Sequence, residues 1–305
     1  MDSEVYCRVD FLNYKHVMLY YKVMRKVRTL TDLEPHHMRW YLEKLAILNR
    51  PAKGTVVEEK EMSGVRCELT RVKNSKEDLI LFVIHGGAFA FGSPRTHRNY
   101  IAHMCNLTGS IALAPDYRLT PEHYYPQPVD DCHKAYLALK EEFPKSKIWV
   151  VGDSAGGNLA AALTYRLGIR KEPSIDGLIL LSPWLDLREN SKAAKINNDK
   201  DSVFNRDDLI RFGQMYMPNN QRDHPEVSPA MIEDSSFFPP TLIQAAKNEL
   251  LYHDSDQFYK NLKGAGVDVK FEEEQYLFHS WQLFPDYLKE AKASLKNIAT
   301  FIQER

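Results

Sequence analysis

Cysteine is scarce: 305 residues contain four, at Cys7, Cys67, Cys105 and Cys132. No two form a C-x-x-C pair and none has the spacing of a zinc site, so free thiols and no bound metal are expected. Excess charge is also missing. Lys plus Arg is 40 against Asp plus Glu 41, a formal net charge of −1, which argues against a chain built mainly to bind nucleic acid. Only Lys22, Arg25, Lys26 and Arg28 make a local basic patch. No apolar run approaches the length that spans a bilayer, so no transmembrane segment is expected. Met1-Asp2-Ser3-Glu4 is acidic and lacks a signal-peptide pattern. Together these absences point to a reducing compartment, most simply the cytoplasm. Internal repeats and low-complexity tracts are absent as well.

Ordinary globular composition remains, 44 % hydrophobic and 27 % charged. Residues 1–50 are helical in pattern, with a basic amphipathic stretch over Tyr14–Val27 and a second helix over Glu34–Leu48 that has Pro35 in its first turn. From about residue 55 the texture changes. Thr55–Val57 and Val65–Leu69 predict early antiparallel strands. Leu79–Ile84 is a solid apolar run of the kind found in buried parallel strands. Ser110–Ala114, Lys147–Val151, Gly177–Leu181, Thr241–Ala245 and Val267–Phe271 repeat it, with helical patterns between most of them. Alternating strands and helices predict an α/β fold: a mostly parallel sheet with helices on both faces. Residues 188–226 break the rhythm and predict an insertion, polar over Asn190–Asp201 and helical over Arg206–Met217.

Gly152-Asp153-Ser154-Ala155-Gly156 reads G-x-S-x-G between the strand and an alanine-rich helix former. Strand, tight turn, helix is the context of a nucleophile elbow, which lifts a serine hydroxyl clear of the sheet. His85-Gly86-Gly87-Ala88-Phe89 follows the buried strand directly. The amides of Gly86 and Gly87, with that of Ala155, are candidates to hold a developing oxyanion. Serine needs a base at neutral pH. His279 follows the last strand and its loop, and it comes after the serine, as the order Ser, acid, His requires. Glu249, just past the strand Thr241–Ala245, is the candidate acid. Asp254 competes with it, but stands where a helix would start and reads as an N-cap. His85 is expected to brace the glycine loop, and the other histidines to lie on the surface or behind the site. Glu272-Glu273-Glu274 reads as a solvated charge run.

With these motifs assembled, the chain resembles the hormone-sensitive-lipase-like family of α/β-hydrolases, which includes carboxylesterases and arylacetamide deacetylases. The resemblance covers roughly residues 75–305. It also draws on Asp116-Tyr117-Arg118-Leu119, Pro121-Glu122-His123, Ser182-Pro183-Trp184-Leu185-Asp186 and His279-Ser280-Trp281. The resemblance implies an α/β-hydrolase core over 51–187 and 227–305, with a helical cap over 1–50 and 188–226. It implies nucleophile Ser154, acid Glu249 and base His279, oxyanion amides at Gly86, Gly87 and Ala155, and no cofactor. Candidate pocket walls are Tyr20, Tyr21, Met24, Phe212, Met215 and Tyr216 from the cap and Phe89, Tyr124 and Trp184 from the core. The expected activity is hydrolysis of small short- to medium-chain acyl or aryl esters through an acyl-enzyme, by a monomer or homodimer. Amide cleavage and a non-catalytic ligand receptor are the alternatives. The sequence departs from the family's common pattern at Ala88, where a third glycine is common, at Ala246, at Thr120, and at Glu249-Leu250, where aspartate-proline is common.

Overall fold

The computed structural model describes residues 32–47, 50–188, 197–198 and 200–305. Cys7, the Tyr14–Val27 stretch with its basic patch, and Tyr20, Tyr21 and Met24 lie outside the described residues. Eight strands form one sheet: β1 (Val56–Met62), β2 (Val65–Arg71), β3 (Lys76–Ile84), β4 (Ser110–Pro115), β5 (Lys147–Asp153), β6 (Gly177–Leu181), β7 (Thr241–Ala246) and β8 (Val269–Glu274). Their spatial order is β1-β2-β4-β3-β5-β6-β7-β8. The pairs β1–β2 and β2–β4 are antiparallel and every other pair is parallel. This is the α/β-hydrolase arrangement expected from the sequence.

Why the strands read as unbroken apolar runs is now plain. Successive side chains point to opposite faces of a sheet, and both faces here are covered. Ile80, Phe82 and Ile84 of β3 belong to one core, with Ile148 and Val150 of β5 and Leu178 and Leu180 of β6. Leu81 and Val83 belong to the other, with Trp149, Val151, Ile179 and Leu181. Helices α3 (Gln127–Glu142), α4 (Ala155–Arg170) and α6 (Tyr252–Gly264) close the first face. Helices α2 (Pro94–Thr108) and α7 (Lys289–Gln303) close the second. The polar β1, mostly exposed, sits at one edge and β8 at the other.

Two further helices lie outside this sandwich. α1 (Pro35–Ala46) begins with its proline at the first turn, as predicted. α5 (Arg206–Tyr216) stands between β6 and β7, and Asn205 opens it with a reciprocal capping box to Asp208. The Arg211 guanidinium donates to the Leu33 carbonyl at 3.2 Å, joining α5 to the segment before α1. Among the described residues no helix is long and apolar enough to cross a membrane.

Three local expectations need correction. The last strand begins at Val269 rather than Val267 and takes in Glu272–Glu274. Those glutamates are ladder residues, and Glu272 accepts a hydrogen bond from Gln244 Nε2 at 2.8 Å. Asp254 is not an N-cap; Leu251 occupies that position. Its buried carboxylate instead accepts the amides of Leu185 and Asp186 at 3.1 and 3.0 Å. Burial first, then the neighbouring Asp186, pushes it well above the usual carboxylate range. It braces the turn after β6, and among the described residues it makes no hydrogen bond to histidine.

Candidate active site

Every candidate catalytic residue follows the carboxyl end of a parallel strand. His85 follows β3, Ser154 follows β5, Glu249 follows β7 and His279 follows β8. In open α/β sheets that rim is where ligands bind.

Ser154 joins β5 to α4 with φ 54° and ψ −122°. A non-glycine residue held there costs about 1–3 kcal/mol and persists only where its surroundings enforce it. Here they do. The Ser154 amide donates to Leu181 O at 2.9 Å, and its carbonyl accepts from Trp184 N at 3.0 Å.

Glu249 is fully buried, and its two carboxylate oxygens have separate partners. Oε1 accepts the Ala246 amide at 2.9 Å and Oε2 accepts His279 Nδ1–H at 2.8 Å. The bond assigns the tautomer, with the Nδ1 proton on Glu249 and the Nε2 lone pair facing away from it. His279 Nε2 is buried without a hydrogen-bond partner among the described residues, as a base awaiting a proton would be. Burial pulls the imidazole pKa down, but the Glu249 hydrogen bond and charge, helped by Asp201 and Asp153, outweigh it and hold it above the ordinary value. The Phe204 ring and the imidazole pack nearly perpendicular to each other, with ring centroids 5.3 Å apart. The next residue ties the base to the elbow: Ser280 N donates to Ser182 Oγ at 3.2 Å and its hydroxyl faces Asp153 Oδ2 at 3.5 Å.

The glycine loop corrects one expectation. The Gly86 amide donates to Asp153 Oδ1 at 2.9 Å, so it is not open to an oxyanion. Glycine is required there for closeness, since a Cβ would stand 2.3 Å from Asp153 Oδ2. Gly87 has φ +120°, and a Cβ on it would stand 2.0 Å from Phe91 O. Among the described residues the amides of Gly87, Ala88 and Ala155 carry no hydrogen bond. The Ala88 amide is thus unbonded where that of Gly86 is not. His85 braces the loop as expected: Nδ1–H donates to Gly86 O at 2.8 Å and the ring stacks on Tyr117 at 4.2 Å. Burial, with His97 close by, pushes its pKa down to about 4, so it is neutral.

The candidate walls divide. Phe89 stacks on Tyr216 at 3.8 Å and leans on Trp184 at 5.6 Å, and all three are buried. Phe212, also buried, meets Phe91 edge-on at 5.7 Å, and Met215 packs half-buried against the core. Tyr124 does not join them; its side chain is 48 % exposed. The adjacent Tyr125 turns inward instead, edge-on to Tyr216 at 6.1 Å. Two consecutive tyrosines before a proline gave no signal as to which would point in.

The model of the alpha/beta hydrolase fold family matches residues 81–283. An esterase from the bacterial hormone-sensitive lipase family superimposes with a TM-score of 0.90 at 27 % identity, covering 95 % of this chain and 98 % of that one. The chain belongs to the hormone-sensitive-lipase-like family of α/β-hydrolases. Among curated relatives of this α/β-hydrolase, an esterase of Acinetobacter venetianus is 35 % identical over 272 residues, 88 % of this chain and 89 % of that protein. An acetyl-hydrolase of Streptomyces hygroscopicus is 30 % identical over 239 residues, 78 % of this chain and 80 % of that protein.

Sequence reasoning missed the residues that hold this α/β-hydrolase's site together. Asp153 was only the unspecified position of G-x-S-x-G. Buried between three loops, it bonds Gly86 N and also His97 Nε2 at 3.1 Å. Burial raises its pKa, but His97 and the Gly86 amide outweigh that and leave it below the usual carboxylate range. A hydrogen-bonding residue between two motif glycines was the available signal. Among the described residues no cluster of His, Cys, Asp or Glu could hold a metal ion.

Proposed function

We propose that this protein is a serine carboxylesterase that cleaves short- to medium-chain acyl or aryl esters through an acyl-enzyme. The observation that carries the reading is the buried Glu249–His279 pair with an unpartnered Nε2, linked through the neighbouring Ser280 to Asp153, the residue before a serine in a strained strand-to-helix turn. Relatives named esterase and acetyl-hydrolase support it.

In the proposed reaction His279 Nε2 takes the Ser154 hydroxyl proton as Oγ attacks the ester carbonyl. Glu249 keeps the imidazole in the productive tautomer and stabilises its positive charge. The amides of Gly87, Ala88 and Ala155 receive the oxyanion, each worth on the order of 10²–10³ in rate. The tetrahedral intermediate collapses, the alkoxide leaves with the proton from His279, and the acyl group stays on Ser154. Water, deprotonated by His279, then attacks the acyl-enzyme and releases the acid. No step calls for a cofactor.

The segments containing α1 and α5, within 1–50 and 188–226, are proposed as a two-part cap. The buried stack of Phe89, Tyr216 and Trp184 supports a small, aromatic-walled site. The cytoplasm is the proposed location, and β8, at the sheet edge, is the proposed contact if two copies pair.

The test is hydrolysis of nitrophenyl acyl esters of increasing chain length. Ser154→Ala is expected to lower kcat by roughly 10⁶, as triad deletions do elsewhere, and short chains are expected to outrun long ones. Near-normal turnover by Ser154→Ala would sink the assignment. Faster turnover of long chains would sink the substrate class.

A further inference from the structure

The acid loop Ala246–Leu251 is short: within it Glu249 Oε1 accepts the Ala246 amide and Glu249 N donates to Ala246 O, and Lys247 N donates to Glu274 O of β8. Further contacts come from a distant part of the chain. Asn197 and Asp201 lie in the insertion between β6 and β7, in the polar stretch Asn190–Asp201. Both are buried, at 6 % and 5 % exposure. Asn197 Nδ2 donates to the carbonyls of Lys247 and Glu249 at 2.9 and 2.8 Å. Asp201 Oδ2 accepts the amide of Leu250 at 2.8 Å. One side chain thus grips the two carbonyls and the other grips the next amide, so the backbone on both sides of the Glu249 side chain is bonded to the insertion. The Leu250 amide can take part because position 250 carries leucine; a proline there would have no N–H to give.

The same residue reaches the base. Asp201 Oδ1 accepts the amides of Val203 and Phe204 at 2.7 and 3.0 Å, a tight turn that aims Phe204. The Phe204 ring is the one that packs nearly perpendicular to the His279 imidazole. Asn198 Oδ1 accepts the Arg206 amide at 2.8 Å, so the clamp continues directly into α5, whose Tyr216 stacks on Phe89 of the glycine loop.

We propose that Asn197 and Asp201 are positioning residues that hold Glu249 in bonding register with His279, so that the insertion completes the triad as well as roofing it. The inference rests on reading Glu249 as the acid. Without the insertion's contacts the Glu249 carbonyl and the Leu250 amide would be free to shift, and a displacement of about 1 Å at such a site can cost about 10² in rate. Asp201 supplies three acceptor contacts from two oxygens, and an asparagine has one oxygen, so Asp201→Asn can keep only one side of the clamp.

The experiment reads the geometry directly. The proton shared between His279 Nδ1 and Glu249 gives a low-field proton resonance in the intact protein, assigned by its loss in Glu249→Ala. In Asp201→Ala and in Asn197→Ala that resonance is expected to shift or vanish, with Asp201→Asn intermediate. On a nitrophenyl ester kcat is expected to fall about 10²-fold with KM within about twofold. Far-UV circular dichroism identifies the variants that fold, and Asp201→Asn, which conserves shape, serves if the alanine does not. An unchanged resonance in folded Asn197→Ala and Asp201→Asn, with kcat within twofold of the parent, would overturn the clamp. Because the resonance needs no turnover, an inactive parent protein would refute the esterase reading while the clamp was still being decided.

Discussion

Replacing Glu249 by glutamine is the sharpest test of the site, because the outcome follows from counting protons. Two donors converge on the Glu249 carboxylate, the Ala246 amide on Oε1 and His279 Nδ1–H on Oε2. A glutamine of the same shape offers one oxygen and one NH₂ group. The backbone amide cannot give up its proton, so the oxygen turns to Ala246 and the NH₂ faces the imidazole. His279 must then carry its proton on Nε2, the atom that has to accept one from Ser154. Fixing the wrong tautomer costs about 10⁴ in kcat in the serine-protease triad, equivalent to about 5.4 kcal/mol of transition-state stabilisation. The same order is expected here, with KM little changed and Tm close to the parent. Glu249→Ala should lose activity similarly and also lower Tm, because a buried amide left without a partner costs about 1–3 kcal/mol. The control is Asp254→Asn. One Asp254 oxygen, Oδ2, accepts both the Leu185 and Asp186 amides, so an asparagine oxygen can replace it. That variant is expected to keep its activity. Steady-state hydrolysis of nitrophenyl acetate decides the matter. Glu249→Gln turning over within tenfold of the parent, or Asp254→Asn falling as far as Glu249→Gln, would refute the reasoning.

Two further outcomes follow from the same geometry. His279 must be neutral to act, and Glu249 holds its pKa up, so kcat/KM should fall as pH drops, with a midpoint above histidine's ordinary value of about 6.5. A pH–rate profile with that midpoint below 6 would contradict it, and His85, already pushed down to about 4, adds no second limb in this range. Gly87→Ala places a Cβ 2.0 Å from Phe91 O at φ +120°. The backbone strain alone is worth about 1–3 kcal/mol, so thermal melts should show a lower Tm, alongside lost turnover as the oxyanion amides move; parent-like values of both would show that the loop is not held as described.

Much of the fold was legible because both faces of this sheet are covered. Period-two alternation then disappears into apolar runs, and Leu79–Ile84, Lys147–Val151 and Gly177–Leu181 announce themselves. The strand-turn-helix at Ser154, the histidine–glycine loop and the pairing of Glu249 with His279 were legible because each lies at the end of a strand. The last strand was misplaced because its polar half, Glu272–Glu274, pairs with β7 through backbone bonds that no side-chain pattern reveals. Asp254 was misread because its partners, Leu185 and Asp186, are distant in sequence.

By itself, then, the sequence determined the class of fold and the candidates proposed as nucleophile, base and acid, since these depend on residue type and on position next to a strand. Only the tertiary structure decided which amides of the glycine loop are already bonded. The Gly86 N–H is committed to Asp153, 67 residues away, and a glycine pair looks alike whichever way its amides point. It also decided what holds the Glu249 loop. Asn197 and Asp201 reach the Lys247–Leu250 backbone across about fifty residues, and a side chain that bonds backbone groups leaves no pattern in the residues it bonds.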